Sequence, residues 1–407
     1  MPTAEMTEPR LGVTDESGCW PTALQELILQ AALLRGQGAV DAWTRWKAAA
    51  DLDALDFGTH RMLPLVYSNL RSQGLSDPIL EKFKSVYRYY WYNNEILLNR
   101  AAANLKVLHQ AGIQTLVLKG AALIPSYYRQ RGLRPMQDCD IAVPHHQAQR
   151  AIAVLRQLGW TSCWELPPEQ FISIRHSAPF VNAEGHMLDL HWGILWECWN
   201  RNQDAGFWSR AIPVTIGDQS TLALEPTDQL LHIIWHGARW NEVPPLRWVA
   251  DAMMVLRAPE VGIDWQRLLD LVEFHHLGLF VHTSLEFLRA KLQAPIPEFV
   301  LDRLQAMPVS PIERFGYRML TEPLAASPTN KEILRVLRYE YLWLTSDLPA
   351  SRKPLEFATW LQFRWKVDRR WKTPFILLAN AARRMGRQLM RLARPGLLRS
   401  PATPANG

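Results

Sequence analysis

Leu116-Val-Leu-Lys-Gly-Ala-Ala122, Arg134-Pro-Met-Gln-Asp-Cys-Asp-Ile-Ala-Val143 and Leu188-Asp-Leu-His-Trp192 are the stretches on which the fold of this chain turns. Thr115 to Leu118 is a short apolar run of the kind that fills a strand buried on both faces. Lys119-Gly120 turns out of it into a helical stretch reaching about Gln130. Asp138 to Val143 predicts a second strand, which Pro144 ends. His145 to Leu158 predicts a helix closed by Gly159, Phe171 to Val181 reads as a strand, and His186 to Trp192 alternates as a half-buried strand does. Strands and helices interleave over residues 113–224, so this part of the chain is α/β or α+β.

Outward from that core the pattern becomes helical on both sides. Residues 1–20 read as a flexible tail, and Pro21 to Gln37 carries Leu24, Leu27, Ile28, Ala31 and Leu34 at the spacing of one buried helix face. Helical patterns continue to residue 112, giving an N-terminal helical region over 21–112. Tyr87 and Tyr89 to Tyr92 form an aromatic cluster ahead of a helix predicted from Glu95 to Gln110, and packing between helices is the expected role of that cluster. Beyond Glu225 strand signals vanish, and Thr227–Ala238, Leu246–Leu256 and Trp265–Phe274 predict an all-helical domain over 225–347. A Pro/Trp/Arg-rich connector over 348–374, with a hinge at Leu348 to Leu355, leads to a helix over 375–396 and a tail over 397–407. Trp192, Trp196, Trp199, Trp235, Trp240 and Trp248 gather near the junction of the two domains and are expected to pack it.

With 407 residues, 48% hydrophobic and 21% charged, the chain has enough apolar material for a large core, which excludes a disordered polyelectrolyte. The formal charge of +6 would point to a nucleic acid or an anionic membrane, but eleven Lys or Arg stand against one acid between Arg364 and Arg399, so the remainder is net acidic. In the 375–396 helix Phe375, Leu378, Ala382, Met385, Leu389 and Leu392 fall on one side, with Arg383, Arg384, Arg387, Arg391 and Arg394 opposite. Such a helix suits peripheral contact with an anionic membrane, contact with nucleic acid, or docking on the protein's own core. Cys19, Cys139, Cys163 and Cys198 are too far apart for a CxxC pair, the first twenty residues lack the order of a signal peptide, and no apolar run approaches the ~18 residues of a membrane span. A cytoplasmic protein is expected, with peripheral contact at the inner membrane face as an option of the basic helix.

Strand side chains alternate, so Asp138 and Asp140 project to the same side. Two carboxylates so close require a cation, and hard oxygen ligands favour Mg²⁺ or Mn²⁺. Asp189 on a later strand would complete the three-carboxylate set that two-metal phosphoryl transfer uses. Lys119 and Gly120, where a strand opens into a helix, offer an ammonium and backbone N–H groups to phosphates, and Arg134 stands four residues before Asp138, within reach of the same phosphates. His191 shares a face with Asp189 and is its expected partner. His232 and His236 have the i,i+4 spacing of zinc enzymes without the intervening Glu, and read as core histidines or supports behind the site. Arg247 and Asp251 read as an ion pair within one helix.

The order of these motifs resembles the polymerase-β-like nucleotidyltransferase superfamily. In detail it is similar to a bacterial branch of mostly uncharacterised nucleotidyltransferases, in which LKG precedes an R-x-x-x-D-x-D strand and a later (V/L)-(D/E)-L-H-W strand. The match covers residues 113–195 and is carried by Leu118 to Gly120, Arg134, Asp138, Asp140 and Leu188 to Trp192. It implies an α+β fold, a mixed sheet flanked by helices with N-terminal helices and an all-helical C-terminal domain. It also implies Mg²⁺- or Mn²⁺-dependent transfer of a nucleoside monophosphate from an NTP to a hydroxyl acceptor with release of pyrophosphate. Asp138, Asp140 and Asp189 would hold the metals, Asp189 would help deprotonate the acceptor, and Lys119 with Gly120 would contact the triphosphate. The superfamily usually has Gly-Gly or Gly-Ser at that turn, whereas Lys119-Gly120-Ala121 supplies no hydroxyl. No specific nucleic-acid motif is present, so a small molecule, a sugar derivative or a protein side chain stands beside a polynucleotide as acceptor. Two alternatives accompany this reading: a descendant that binds nucleotide or a partner without turnover, and a membrane or nucleic-acid adaptor working through the basic helix.

Overall fold

A computed structural model describes residues 19–195, 204–239, 241, 244–259, 262–322, 330–345, 348–367, 369–372 and 375. Seven strands form one mixed sheet: β1 (Leu116–Leu118), β2 (Cys139–Ala142), β3 (Thr161–Ser162), β4 (Ser177–Val181), β5 (Met187–His191), β6 (Ile212–Ile216) and β7 (Gln219–Ala223), in the order β3-β4-β5-β2-β1-β7-β6. β2 runs antiparallel to β1 and parallel to β5, while β7 runs parallel to β1. The parallel β2–β5 step needs a crossover, whose helix Ala148–Gln157 buries Ala148, Ala151, Ile152 and Leu155, spaced i, i+3, i+4, i+7.

Both faces of the sheet are covered, which is why every residue of β1 and β2 is buried, Asp140 being the one charged residue among them. Val117, Cys139 and Ile141 belong to one core, with Leu97, Leu98, Ala101, Leu105 and Leu108 of the helix Pro78–Gln110. Leu116, Leu118 and Ala142 face the opposite core, built from the N-terminal helices and from the helices after Pro226. By alternation Asp140 belongs to this second face, turned toward the helical body.

Several expectations change on this structure. The two helical regions divided in sequence at the sheet share one core, in which Leu29, Trp43 and Leu70 are clustered with Leu231, Val249 and Leu285. Their apolar stripes are complementary, so neither buries its face alone. Cys19 is fully buried and Trp20 packs on Trp248 and Phe287 at 6.1 and 5.5 Å, so the tail ends before them. The helix expected from Glu95 starts at Pro78, capped by Asp77 accepting from the Ile79 N–H, and carries the aromatic cluster within it. The connector at 348–374 contains the helix Lys353–Arg364, whose Trp360 and Leu361 pack with Trp343, Leu344, Phe171 and Ile174. Trp192, Trp235 and Trp248 are core residues, as expected. Among the described residues no helix is long and apolar enough to cross a membrane. Of the basic amphipathic helix, residues 376–396 lie outside the described residues, as do Trp196, Trp199 and Trp240.

Candidate functional site

The β2–β5 register sets Asp140 opposite Asp189 and Ala142 opposite His191. All of these project from the sheet face that meets the helices. His191 Nε2 lies 3.1 Å from both Asp140 Oδ1 and Asp189 Oδ2, and Ser177 Oγ lies 3.4 Å from Asp189 Oδ2. Asp189 Oδ1 is buried without a hydrogen-bond partner among the described residues. Ligand atoms of Asp140, Asp189 and His191 all fall within 4.8 Å of one another, the one such acid and histidine group among the described residues. Asp138 stands outside it: it precedes β2 in a bend and is exposed.

Lys119 closes the cluster from the β1 side. Leu118 pairs with Asp140 across the β1–β2 ladder, and Lys119 Nζ reaches Asp140 Oδ1 at 2.6 Å. Its backbone has φ +46°, a left-handed conformation that disfavours side chains other than glycine's and recurs at functional turns. The sharp strand-to-helix turn aims the ammonium at the carboxylate.

The charges are strongly coupled. Burial acts to raise the Asp140 carboxyl, and Lys119 and His191 more than offset it, holding it well below the usual range. Burial opposes charge on His191, yet Asp189 and Asp140 push the imidazole up to about 9. Asp189 is lowered, with burial again opposing and His191 prevailing. Asp138 is raised, by loss of hydration and then by repulsion from Asp140.

Beside this cluster lies a cleft of about 340 Å³ between the sheet and the helices, lined in part by Arg61, Lys119, Arg134, His232, Arg239 and Arg247. Arg134 departs from its expected role. It is 5% exposed, and its Nε and Nη2 donate to Asp251 at 2.7 and 2.8 Å, a bidentate pair to which the Tyr128 hydroxyl also donates at 2.7 Å. Asp251 is therefore the partner of Arg134 and Tyr128, not of Arg247 as expected. The residual Nη1 of Arg134 explains Gly120: a Cβ there would meet Arg134 Nη1 and Met136 Cγ at 2.5 Å. Arg61 and Arg247 have no carboxylate within ion-pair reach among the described residues. Arg61 stacks 3.7 Å over the Phe57 ring and donates to Gln137, and Arg247 donates to the Pro135 carbonyl at 3.3 Å. Burial and then Arg247 bring Arg61 down to about 9, and burial and then Arg134 lower Arg247. A concave site with two cations that repel one another is a receptor for an anion.

A family described as uncharacterised nucleotidyltransferase matches residues 57–293, more than half of the chain and the span from Arg61 to the helix behind the cleft. The chain belongs to this nucleotidyltransferase family. A comparison with curated proteins found no match. The family match agrees with the resemblance read from the motifs and extends it through both walls of the cleft.

In this family member, sequence reasoning brought Lys119, Asp140, Asp189 and His191 to one place, and the structure joins them. It missed Arg61 and the unpaired state of Arg247. The first had no motif around it, and the second was hidden by an ordinary i,i+4 spacing to Asp251. His232 and His236, with rings 4.4 Å apart, line the cleft wall. Burial, then Lys119 and His191, hold His232 down at about 3, a neutral imidazole among cations.

Proposed function

We propose that the protein is a divalent-metal-dependent nucleotidyltransferase, transferring a nucleoside monophosphate from an NTP to a hydroxyl acceptor and releasing pyrophosphate. One observation carries the reading: Asp140 and Asp189 are paired across parallel strands with His191 between them, and Lys119, bonded to Asp140, lines a neighbouring cleft in which Arg61 and Arg247 pair with no acid among the described residues. The donor set fits Mg²⁺ or Mn²⁺, because Asp189 Oδ1 is buried without a partner and the ligand atoms already converge within 4.8 Å. Asp140, Asp189 and His191 would hold the ion, with Asp138 as a further carboxylate two residues before Asp140. When bound, the ion supplies charge neutralisation for the phosphates and lowers the pKa of the acceptor hydroxyl.

The chain's own groups account for the rest. Arg61 and Arg247 bind and orient the triphosphate from the helical wall, since each gains an anionic partner that it lacks. Lys119 stands between the cleft and Asp140 and contributes charge to whichever anion is nearer. Asp189, less buried than Asp140, takes the proton of the acceptor hydroxyl. Water is limited by the depth of the site, where the Asp140 and His191 side chains are 3% and 1% exposed.

Titration calorimetry of each NTP with Mg²⁺, followed by a pyrophosphate-release assay with candidate acceptors, tests the reading. Loss of binding in Asp138→Asn and Asp140→Asn supports it, and metal-independent or absent NTP binding rejects it. Asp138 is exposed, so its variant separates loss of ligand from loss of fold. A second reading, a binding module without turnover, rests on the Lys119 and His191 contacts that already balance Asp140. Nucleotide binding with no pyrophosphate from any acceptor would favour it.

A further inference from the structure

Of the aromatic cluster on the helix Pro78–Gln110, Tyr87 and Tyr90 pack against neighbouring helical segments, on Tyr67 and His60, and the other three rings do not. Tyr89, Trp91 and Tyr92 are 64%, 47% and 65% exposed, while Tyr90 alone of that run is buried. Tyr92 neighbours Arg88 at i,i+4 and Tyr89 at i,i+3 on the helix surface, and Lys82 lies about two turns before Tyr89 on the same side. Lys82 and Arg88 are exposed and pair with no acid among the described residues. The acids on this side of the helix are each paired with a cation, Glu81 with Lys84 at 3.5 Å and Glu95 with Arg131. The free charge of this face is positive.

A series of ring contacts links this face to the cleft. Tyr89 contacts Tyr90 edge-on at 5.1 Å, Tyr90 contacts His60 at 6.2 Å, and the next residue, Arg61, lies over Phe57, which lines the cleft and is 49% exposed. Exposed rings flanked by unpaired cations therefore stand on the helix whose buried Tyr90 packs behind Arg61 and Phe57 at the cleft, beside the site where an acceptor hydroxyl must arrive.

We infer that the acceptor is a single-stranded nucleic acid, whose bases stack on Tyr89 and Tyr92 and whose phosphates meet Lys82 and Arg88 as its terminal hydroxyl enters the cleft. Stacking platforms interleaved with cations suit single strands of any sequence, because every base has a π face and every nucleotide a phosphate. A protein partner would leave Lys82 and Arg88 to find acids of its own, whereas a nucleic acid satisfies rings and cations together. This inference rests on the nucleotidyltransferase reading, which it deepens by naming the acceptor class.

The test is fluorescence anisotropy of an end-labelled RNA of about ten nucleotides with the full-length protein, without NTP, for the wild type, the pair Tyr89→Ser with Tyr92→Ser, Arg88→Glu, and a chain ending at residue 374. Binding by the wild type is expected, with a loss on the order of tenfold for each ring removed and weak competition by duplex of the same sequence. Melting temperature and NTP titration should be unchanged in the tyrosine pair, since both rings are exposed and outside the cleft. No binding by the wild type, equal binding by the tyrosine pair, equal preference for duplex, or loss only in the chain ending at 374 each overturns the inference, the last by locating the contact in the basic C-terminal segment. Intact, tyrosine-dependent RNA binding with no NTP binding would instead reject the nucleotidyltransferase reading and leave the platform as a binding site without a reaction.

Discussion

Mn²⁺ affinity is expected to rise with pH, because His191 holds a proton where the ion's ligands converge. In the metal-free protein His191 Nε2 lies 3.1 Å from an oxygen of each acid, and those acids hold its pKa up at about 9. An ion taking the same oxygens would face an imidazolium at contact distance, so binding expels the proton. Between about pH 7 and about pH 8.5 a single group of that pKa gives roughly a 25-fold gain in affinity, about 1.9 kcal/mol, with nearly one proton released per ion at the lower pH. Lys119 adds no slope there, since Asp140 and Asp189 keep its pKa above the ordinary lysine value against burial. Asp140 is ionised throughout. The stability of the metal-free protein should run the other way. A histidine raised in the folded state contributes stability that is complete below its unfolded pKa of ~6.5 and is lost as pH rises through about 9. Calorimetric titration with Mn²⁺ in two buffers of different ionisation enthalpy counts the protons, and thermal melts without metal follow the stability. A flat affinity with no proton released, or a His191→Gln protein that keeps the full slope, would refute the coupling.

Three other outcomes follow from the same geometry. Asp251→Ala leaves the buried Arg134 guanidinium without its bidentate partner and should cost about 3–5 kcal/mol in urea denaturation, with a smaller loss for Asp251→Asn, which keeps one acceptor. Arg247→Ala and Arg61→Ala should each weaken pyrophosphate binding by roughly 10- to 100-fold, as for a hydrogen bond to a charged group, while leaving the melting temperature level or slightly higher because each removes a repulsion. Gly120→Ala places a methyl 2.5 Å from Arg134 Nη1 and Met136 Cγ, and should destabilise by about 1–3 kcal/mol in the same denaturation assay, however well it binds nucleotide.

The parts of this fold that were legible in the sequence are those with local periodicity. β1, β2 and β5 are short apolar or alternating runs, and Pro226–Gly237, Arg247–Leu256 and Trp265–Phe274 carry the helical period, so each is specified by neighbours in the chain. The β6–β7 hairpin went unread although Gly217-Asp218, with Gly217 at φ +61°, sits between two alternating stretches. The helix starts well before Glu95, and its signal in the sequence is the lack of any Gly or Pro from Ile79 to Gln110. Arg61 and Arg247 meet across the cleft from helical segments on opposite sides of the sheet in sequence. No local pattern marks such a meeting, and only the shared helical core produces it.

That shared core also explains how two carboxylates survive at the bottom of a sheet. Asp140 is nearly inaccessible to water, and without compensation its burial would drive it to the neutral acid. Lys119 and His191 supply the compensation from the sheet itself, Lys119 through a backbone turn that most side chains avoid. A lysine placed this way is a counter-charge with two anions in reach, the carboxylate beneath it and any phosphate in the cleft above. Drawn toward a phosphate that Arg61 and Arg247 hold, it would uncover Asp140 as the anion arrives, so substrate and metal affinities should be coupled through Lys119. Lys119→Gln keeps a hydrogen bond to Asp140 and removes the charge. It should therefore bind Mn²⁺ more tightly than the wild type in the absence of NTP and lose most of the mutual enhancement between NTP and Mn²⁺. Mn²⁺ titrations with and without a non-hydrolysable NTP measure both quantities, and an enhancement equal to that of the wild type would show that Lys119 only supports the fold.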